Sequence, residues 1–145
     1  MHVKEILAHK GPAVVTIQPG AAVADVVASL AQHRIGALVV TSDGRRIEGI
    51  VSERDVVRAL NEFGADLMRM SVREIMTADV HTCVPADEVR ALAHTMTDKR
   101  FRHMPVVIDG ALSGIVTIGD IVKGRVDELE TEHEQLMDYI SSAGR

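Results

Sequence analysis

The sequence contains a single cysteine, Cys83, which excludes an internal disulfide and a thiolate metal cluster. It has no tryptophan, one tyrosine (Tyr139) and two phenylalanines (Phe63 and Phe101), so its apolar mass is aliphatic. No apolar run approaches the length of a membrane span, and no membrane partner is expected. The opening residues Met1–Glu5 lack the apolar stretch of a signal peptide, so the expected location is cytoplasmic. An excess of basic charge is also missing: 16 Lys and Arg face 21 Asp and Glu, a formal net charge of −5. Arg45–Arg46 and the pair Arg100 and Arg102 are too short to track a phosphate backbone, so nucleic acid is not an expected partner. The seven histidines show no His-x-x-x-His or similar ligand spacing, and no metal site is expected.

What the chain does have is Val, Ile, Leu, Ala and Met, and a hydrophobic fraction of 46%. That fraction excludes a disordered chain. Val and Ile favour strands while Ala, Leu and Met favour helices, so a mixed α/β fold of the α+β type is expected. The 145 residues suffice for one ordinary domain or for two small units that share one.

The two-unit answer comes from internal similarity. Val3-Lys-Glu-Ile-Leu7 resembles Val72-Arg-Glu-Ile-Met76. Thr16 and Pro19 recur as Thr82 and Pro85, Arg34 as Arg100, and Asp43-Gly44 as Asp109-Gly110. Gly49-Ile-Val-Ser52 recurs as Gly114-Ile-Val-Thr117 after a slip of one residue, and Asp55 falls on Asp120. Each copy reads as β-α-β-β-α. A first strand is expected over Val14–Ile17 and Val80–Val84, and a helix over Ala22–His33 and Ala86–Lys99 with apolar residues at helical spacing. An Asp-Gly hairpin and a strand then run into a second helix, over Glu53–Phe63 in the first copy and from Ile118 in the second. The expected division is a first repeat over 1–63, a linker over 64–71, a second repeat over 72–126 and a helical extension over 127–145. One small unit buries too little surface alone, so the two are expected to pack sheet to sheet.

The strand-to-helix corner carries the chemistry. Ser52 and Thr117 end a strand where an N-cap belongs, and Asp55 and Asp120 follow in the first helical turn. A capping box explains these residues without any ligand. The same geometry also suits a nucleoside phosphate: the helix start attracts phosphate, and an ionised Asp accepts from both hydroxyls of a ribose. Neither a Walker A nor a Rossmann glycine pattern is present. The second distinctive element is Lys99-Arg-Phe-Arg-His-Met-Pro-Val106, whose counterpart in the first copy, Ile35-Gly-Ala-Leu-Val39, is uncharged. Arg102 and His103 begin a strand there and can hold a phosphate.

Two copies of Gly-Ile-Val-Ser/Thr-x-x-Asp, with Arg102-His-Met-Pro-Val106 in the second, resemble a CBS-domain pair, or Bateman module. The phrase Val51-Ser-Glu-Arg-Asp-Val-Val-Arg58 is similar to small stand-alone bacterial members. The resemblance implies two clefts between the repeats, a homodimer, and an adenine ligand: AMP above all, with ATP, ADP, S-adenosylmethionine or NADH as alternatives. It implies a first cleft formed by Ile50, Ser52, Arg54, Asp55, Thr77, Val80, His81, Arg102, His103, Met104 and Pro105. There Asp55 would hold ribose, Ser52, Arg54, Arg102 and His103 would surround phosphate, and Val80, His81 and Met104 would frame adenine. It implies a weaker second cleft from Val14, Val15, Ile35, Gly36, Ala37, Thr117 and Asp120, where Gly119 replaces Arg54 and Ala37 replaces His103. The expected role is a regulatory sensor without catalysis of its own, acting on a target protein that the sequence does not name.

The rival reading is a ligand-independent homodimeric scaffold or partner-binding protein. Val122, Val126, Leu129, His133, Leu136 and Ile140 follow the alternating spacing of a coiled-coil seam. No nucleophile, base or acid pair stands out as catalytic, so an enzyme is not expected.

Overall fold

In the computed structural model, which describes residues 1–144, the repeated Val-x-Glu-Ile segments form helices that the sequence pattern had not singled out as elements. They are α1 (Val3–Lys10) and α4 (Val72–Ile75). Each carries a glutamate at its third position that reaches back to the capping residue: Glu5 accepts from the His2 N–H at 3.1 Å, and Glu74 from the Ser71 N–H at 2.8 Å. After α1 come β1 (Thr16–Ile17), α2 (Val23–His33), β2 (Ala37–Val40), β3 (Gly49–Ser52) and α3 (Glu53–Phe63). After α4 come α5 (Val89–Lys99), β4 (His103–Ile108), β5 (Ala111–Thr117) and α6 (Ile118–Ala143). The chain is thus a mixed α/β pair of repeats with two small sheets and a long final helix.

The first sheet has the order β1-β2-β3, with β1 parallel to β2 and β2 antiparallel to β3. The second holds only β4 and β5, antiparallel. The strand expected over Val80–Val84 reduces to one parallel bridge between Cys83 and Val106. Proline explains the difference. In the first repeat Val39 donates its N–H to the Val15 carbonyl at 3.3 Å, and Thr41 donates to Ile17 at 3.0 Å. Pro105 stands where Val39 does and has no N–H to give, so pairing survives only around Cys83, which donates to the Pro105 carbonyl at 3.0 Å. The first-copy strand is also shorter than expected, Thr16–Ile17 instead of Val14–Ile17. The β4–β5 turn places Asp109 and Gly110 both at positive φ, 52° and 77°, the backbone that an Asp-Gly hairpin favours.

The helices exchange partners between the repeats. Val3 and Ile6 of α1 are buried with Leu92, Met96, Met104, Val106 and Val116, the core of the second repeat. Val72 of α4 is buried with Val26, Leu38, Val40 and Val51, the core of the first. Backbone bonds fix both exchanges: Val3 N–H donates to Asp87 at 2.9 Å, and Val72 N–H to Ala21 at 2.8 Å. The stretch expected as a linker, 64–71, holds a short 3-10 helix, Gly64–Arg69, because Leu67 is fully buried with Val23 and Ala59. Among the described residues, no helix is long and apolar enough to cross a membrane.

Candidate functional site

The first corner is built by β3 running straight into α3. Ser52 caps the helix, and its hydroxyl accepts the Asp55 N–H at 3.3 Å. Asp55 returns the bond, with Oδ2 accepting from the Ser52 N–H at 2.9 Å. Its other oxygen, Oδ1, accepts the Thr77 hydroxyl at 3.3 Å. Asp55 is only 9% exposed, so its carboxylate is held in place from three sides. Thr77 is itself locked to β3: Ile50 N–H donates to the Thr77 carbonyl at 2.9 Å, and Thr77 N–H to the Ile50 carbonyl at 2.8 Å. The segment after α4, from the second repeat, therefore lies against the strand end of the first.

A cavity of about 330 Å³ opens at this junction. It brings together Ile50, Ser52, Arg54, Asp55, Thr77, Val80, His81, Arg102 and His103 from the expected first cleft. Met104 and Pro105 are not on its wall. Strand alternation turns His103 outward and Met104 into the core, and Pro105 is fully buried. Gly36, expected at the second cleft, lines this cavity instead. Its carbonyl accepts the Glu53 N–H at 2.9 Å, which sets it over Glu53 and His103. A β-carbon at Gly36 would lie 2.8 Å from Glu53 Oε1 and 3.0 Å from the His103 ring.

The wall also holds Glu53, Arg58, Asp79, Lys99, Arg100 and Phe101, which sequence reasoning did not place in the cleft. Arg58 had a signal, since it lies one helical turn after Arg54. Phe101 had none, because its role depends on stacking with His81, ring centroids 5.0 Å apart and planes within 12°. This pair forms a flat wall suited to an aromatic ring. Arg54 donates to the Arg100 carbonyl at 3.1 Å, tying α3 to the end of α5. Among the described residues, none of Arg54, Arg58, Lys99, Arg100 and Arg102 has a carboxylate within ion-pair distance. The cavity thus combines unpaired cations, a fixed carboxylate and a stacked wall. Burial pushes the His103 imidazole below its ordinary pKa; Glu53 and Asp120 oppose this, while Arg102 and Lys10 add to it.

The second corner repeats the capping box. Thr117 N–H donates to Asp120 Oδ2 at 2.9 Å, and Asp120 N–H to the Thr117 hydroxyl at 3.2 Å. Its surroundings differ: Lys10, from α1, reaches Asp120 Oδ2 at 2.7 Å. Burial alone would raise the Asp120 carboxyl, but the bonds from Lys10 and Thr117 outweigh it and hold the pKa below the ordinary value. Val14, Val15 and Ile35 are partly buried, Val15 and Ile35 against the first core, and Ala37 is buried in β2.

The profile of the CBS domain matches residues 3–62 and 72–127. The chain belongs to the CBS-domain family. It is 38% identical over 120 residues to a mitochondrial CBS domain-containing protein of Arabidopsis thaliana, CBSX3, covering 80% of this chain and 58% of that protein. The chain therefore spans a little over half of that relative's length. A CBS-domain protein of Agrobacterium tumefaciens, ATU1752, superposes with a TM-score of 0.84 at 41% identity, over 86% of this chain and 99% of that one. A CBS-domain protein of Pyrobaculum aerophilum, PAE2072, whose structure contains AMP, superposes with a TM-score of 0.73 at 31% identity, over 83% and 89% of the two chains. CBS pairs of this kind are regulatory modules.

Proposed function

We propose that this CBS pair is a sensor that binds an adenine nucleotide of the AMP type in the Asp55 cavity and performs no catalysis of its own. The observation that carries the reading is the arrangement around Asp55. A buried carboxylate with fixed orientation lies beside unpaired cations and the stacked His81–Phe101 wall. Ribose hydroxyls donate to Asp55, phosphate meets the start of α3 together with Arg54, Arg102 and His103, and adenine lies by Val80, His81 and Phe101. AMP in the Pyrobaculum protein supports the ligand class. The proposed setting is the cytosol, with a target protein as the recipient of the signal.

Calorimetry with AMP, ADP, ATP, S-adenosylmethionine and NADH tests the reading. AMP at a hundred times its Kd should add about 2.7 kcal/mol to the stability. No shift with any adenine compound sinks the sensor reading. Asp55→Ala should weaken AMP more than Asp120→Ala, and the reverse order refutes the choice of corner.

A homodimer belongs to the same proposal. The apolar side chains Val122, Val126, Leu129, Leu136 and Ile140 of α6 are exposed along one seam. That spacing suits a second copy of the helix. The same seam supports the scaffold reading if no nucleotide binds. Removal of 127–145 should lower the mass in solution; an unchanged oligomer counts against the seam.

A further inference from the structure

The two corners share a capping box and a backbone bond at the helix start (Glu53 N–H to Gly36, Ile118 N–H to Arg102), yet they differ in what meets the carboxylate. At the first corner Thr77 supplies a neutral hydroxyl to Asp55 and a backbone N–H to the Ile50 carbonyl. At the second, one cation serves both equivalent acceptors. Lys10 Nζ donates to Asp120 Oδ2 at 2.7 Å and to the Ile115 carbonyl at 3.0 Å.

Resting on the nucleotide reading above, we propose that Lys10 is an internal plug that keeps the Asp120 corner closed, so that the chain takes one nucleotide, at Asp55. A ribose diol that uses both oxygens of Asp120 would have to displace an ammonium group from Oδ2. The ammonium adds direct charge attraction to its bond with the carboxylate, which a ribose hydroxyl donating to the same oxygen would not replace. Displacement would also leave the Ile115 carbonyl without the Lys10 donor. Lys10 is exposed, but it stands at the end of an anchored helix and its side chain is about three-quarters covered at 28% exposure. It ends a helix that is bonded to the second repeat through Val3 and Lys4, whose N–H groups donate to Asp87 and Pro85 at 2.9 and 3.0 Å. Leu7 of the same helix packs so closely on Gly114 that a β-carbon there would lie 2.7 Å from its Cδ2 atom. The helix therefore fixes the backbone from which the ammonium reaches Asp120. Thr77, short and uncharged, puts no competing cation on Asp55.

Calorimetric titration with AMP reads the plug as a stoichiometry. The wild type should bind one AMP per chain, and Asp55→Ala should remove it. Lys10→Met keeps much of the apolar stem, lacks the ammonium and should bind two per chain. Affinity at the Asp55 corner should change far less than that at Asp120, since Lys10 reaches the first corner only through its charge on His103. Lys10→Arg keeps the cation and should stay at one. Two AMP per wild-type chain, or one per Lys10→Met chain, overturns the proposal. A second measurement needs no ligand. The carbon resonance of the Asp120 carboxyl should titrate below the ordinary aspartate range in the wild type and move up in Lys10→Met. An unmoved midpoint refutes the ion pair itself. If the midpoint moves but neither protein binds AMP, the nucleotide reading fails and the plug falls with it, a pattern distinct from an intact Asp55 site with the wrong stoichiometry.

Discussion

His103 is the side chain whose charge should report occupancy. Its imidazole is largely desolvated, faces Glu53 and Arg102, and feels Lys10 and Asp120 from the other corner. With its pKa below the ordinary value of 6.5, the folded protein favours the neutral ring. The ring's contribution to stability is therefore present above pH 6.5 and is lost as pH falls from there through the lowered folded value. A phosphate placed against the ring reverses the preference, so binding takes up a proton. AMP affinity should rise as pH falls from neutral toward 6.5, above the lowered pKa of the free ring. His103→Gln should flatten that profile, and adenosine, lacking the phosphate, should not show it; equal slopes for AMP and adenosine would refute the contact. Cys83 is the opposite case. Burial, aided by Asp87, pushes its thiol to about 12, so thiolate is scarce at neutral pH. The folded protein should resist thiol reagents and react only once unfolded, as a timed labelling experiment in denaturant would read. Gly36 sets a steric limit, since a β-carbon there would press on the His103 ring and on the end of the Glu53 side chain. Gly36→Val should weaken AMP binding, whereas Gly20→Val, where a β-carbon meets nothing within 4 Å, should leave it unchanged.

Among the elements, the segment between the repeats works as a spacer with an anchor. Gly64–Arg69 is 3-10 helix, and its one buried side chain, Leu67, packs with Val23 of α2 and Ala59 of α3. Leu67→Ala should cost about 2–5 kcal/mol, as a full cavity in a close-packed core does. A chemical denaturation midpoint within error of the wild type would show that the segment contributes no core. The edge strands follow a different rule. Val39 and Pro105 occupy matching positions, and the single missing N–H at Pro105 leaves the second sheet with two strands where the first has three. His81, whose counterpart Val15 accepts the Val39 N–H in the first repeat, faces the cavity with Asp79 and Val80. A backbone defect in one copy thus coincides with the copy that supplies Lys99, Arg100 and Arg102.

For the whole molecule, the exchange of leading helices makes each repeat depend on the other. The core of the second repeat includes Val3 and Ile6, from the first residues of the chain. Removal of 1–10 should therefore loosen β4 and β5, far away in sequence, before it loosens β2 and β3. Hydrogen exchange resolved by segment tests this, and uniform protection loss would contradict it. The sequence alone determined the repeat, its mixed composition, the two capping corners and the unequal charge between copies. These were legible because helix caps, Asp-Gly turns and apolar periodicity act over a few residues. It also placed Ser52, Arg54, Asp55, Arg102 and His103 in one candidate cleft, through the family resemblance. Only the tertiary structure decided that α1 and α4 cross over, that Met104 turns into the core and Pro105 is buried, that Phe101 stacks on His81, and that Lys10 meets Asp120. Those outcomes depend on contacts between residues distant along the chain, whose energies exist only once the two repeats have packed.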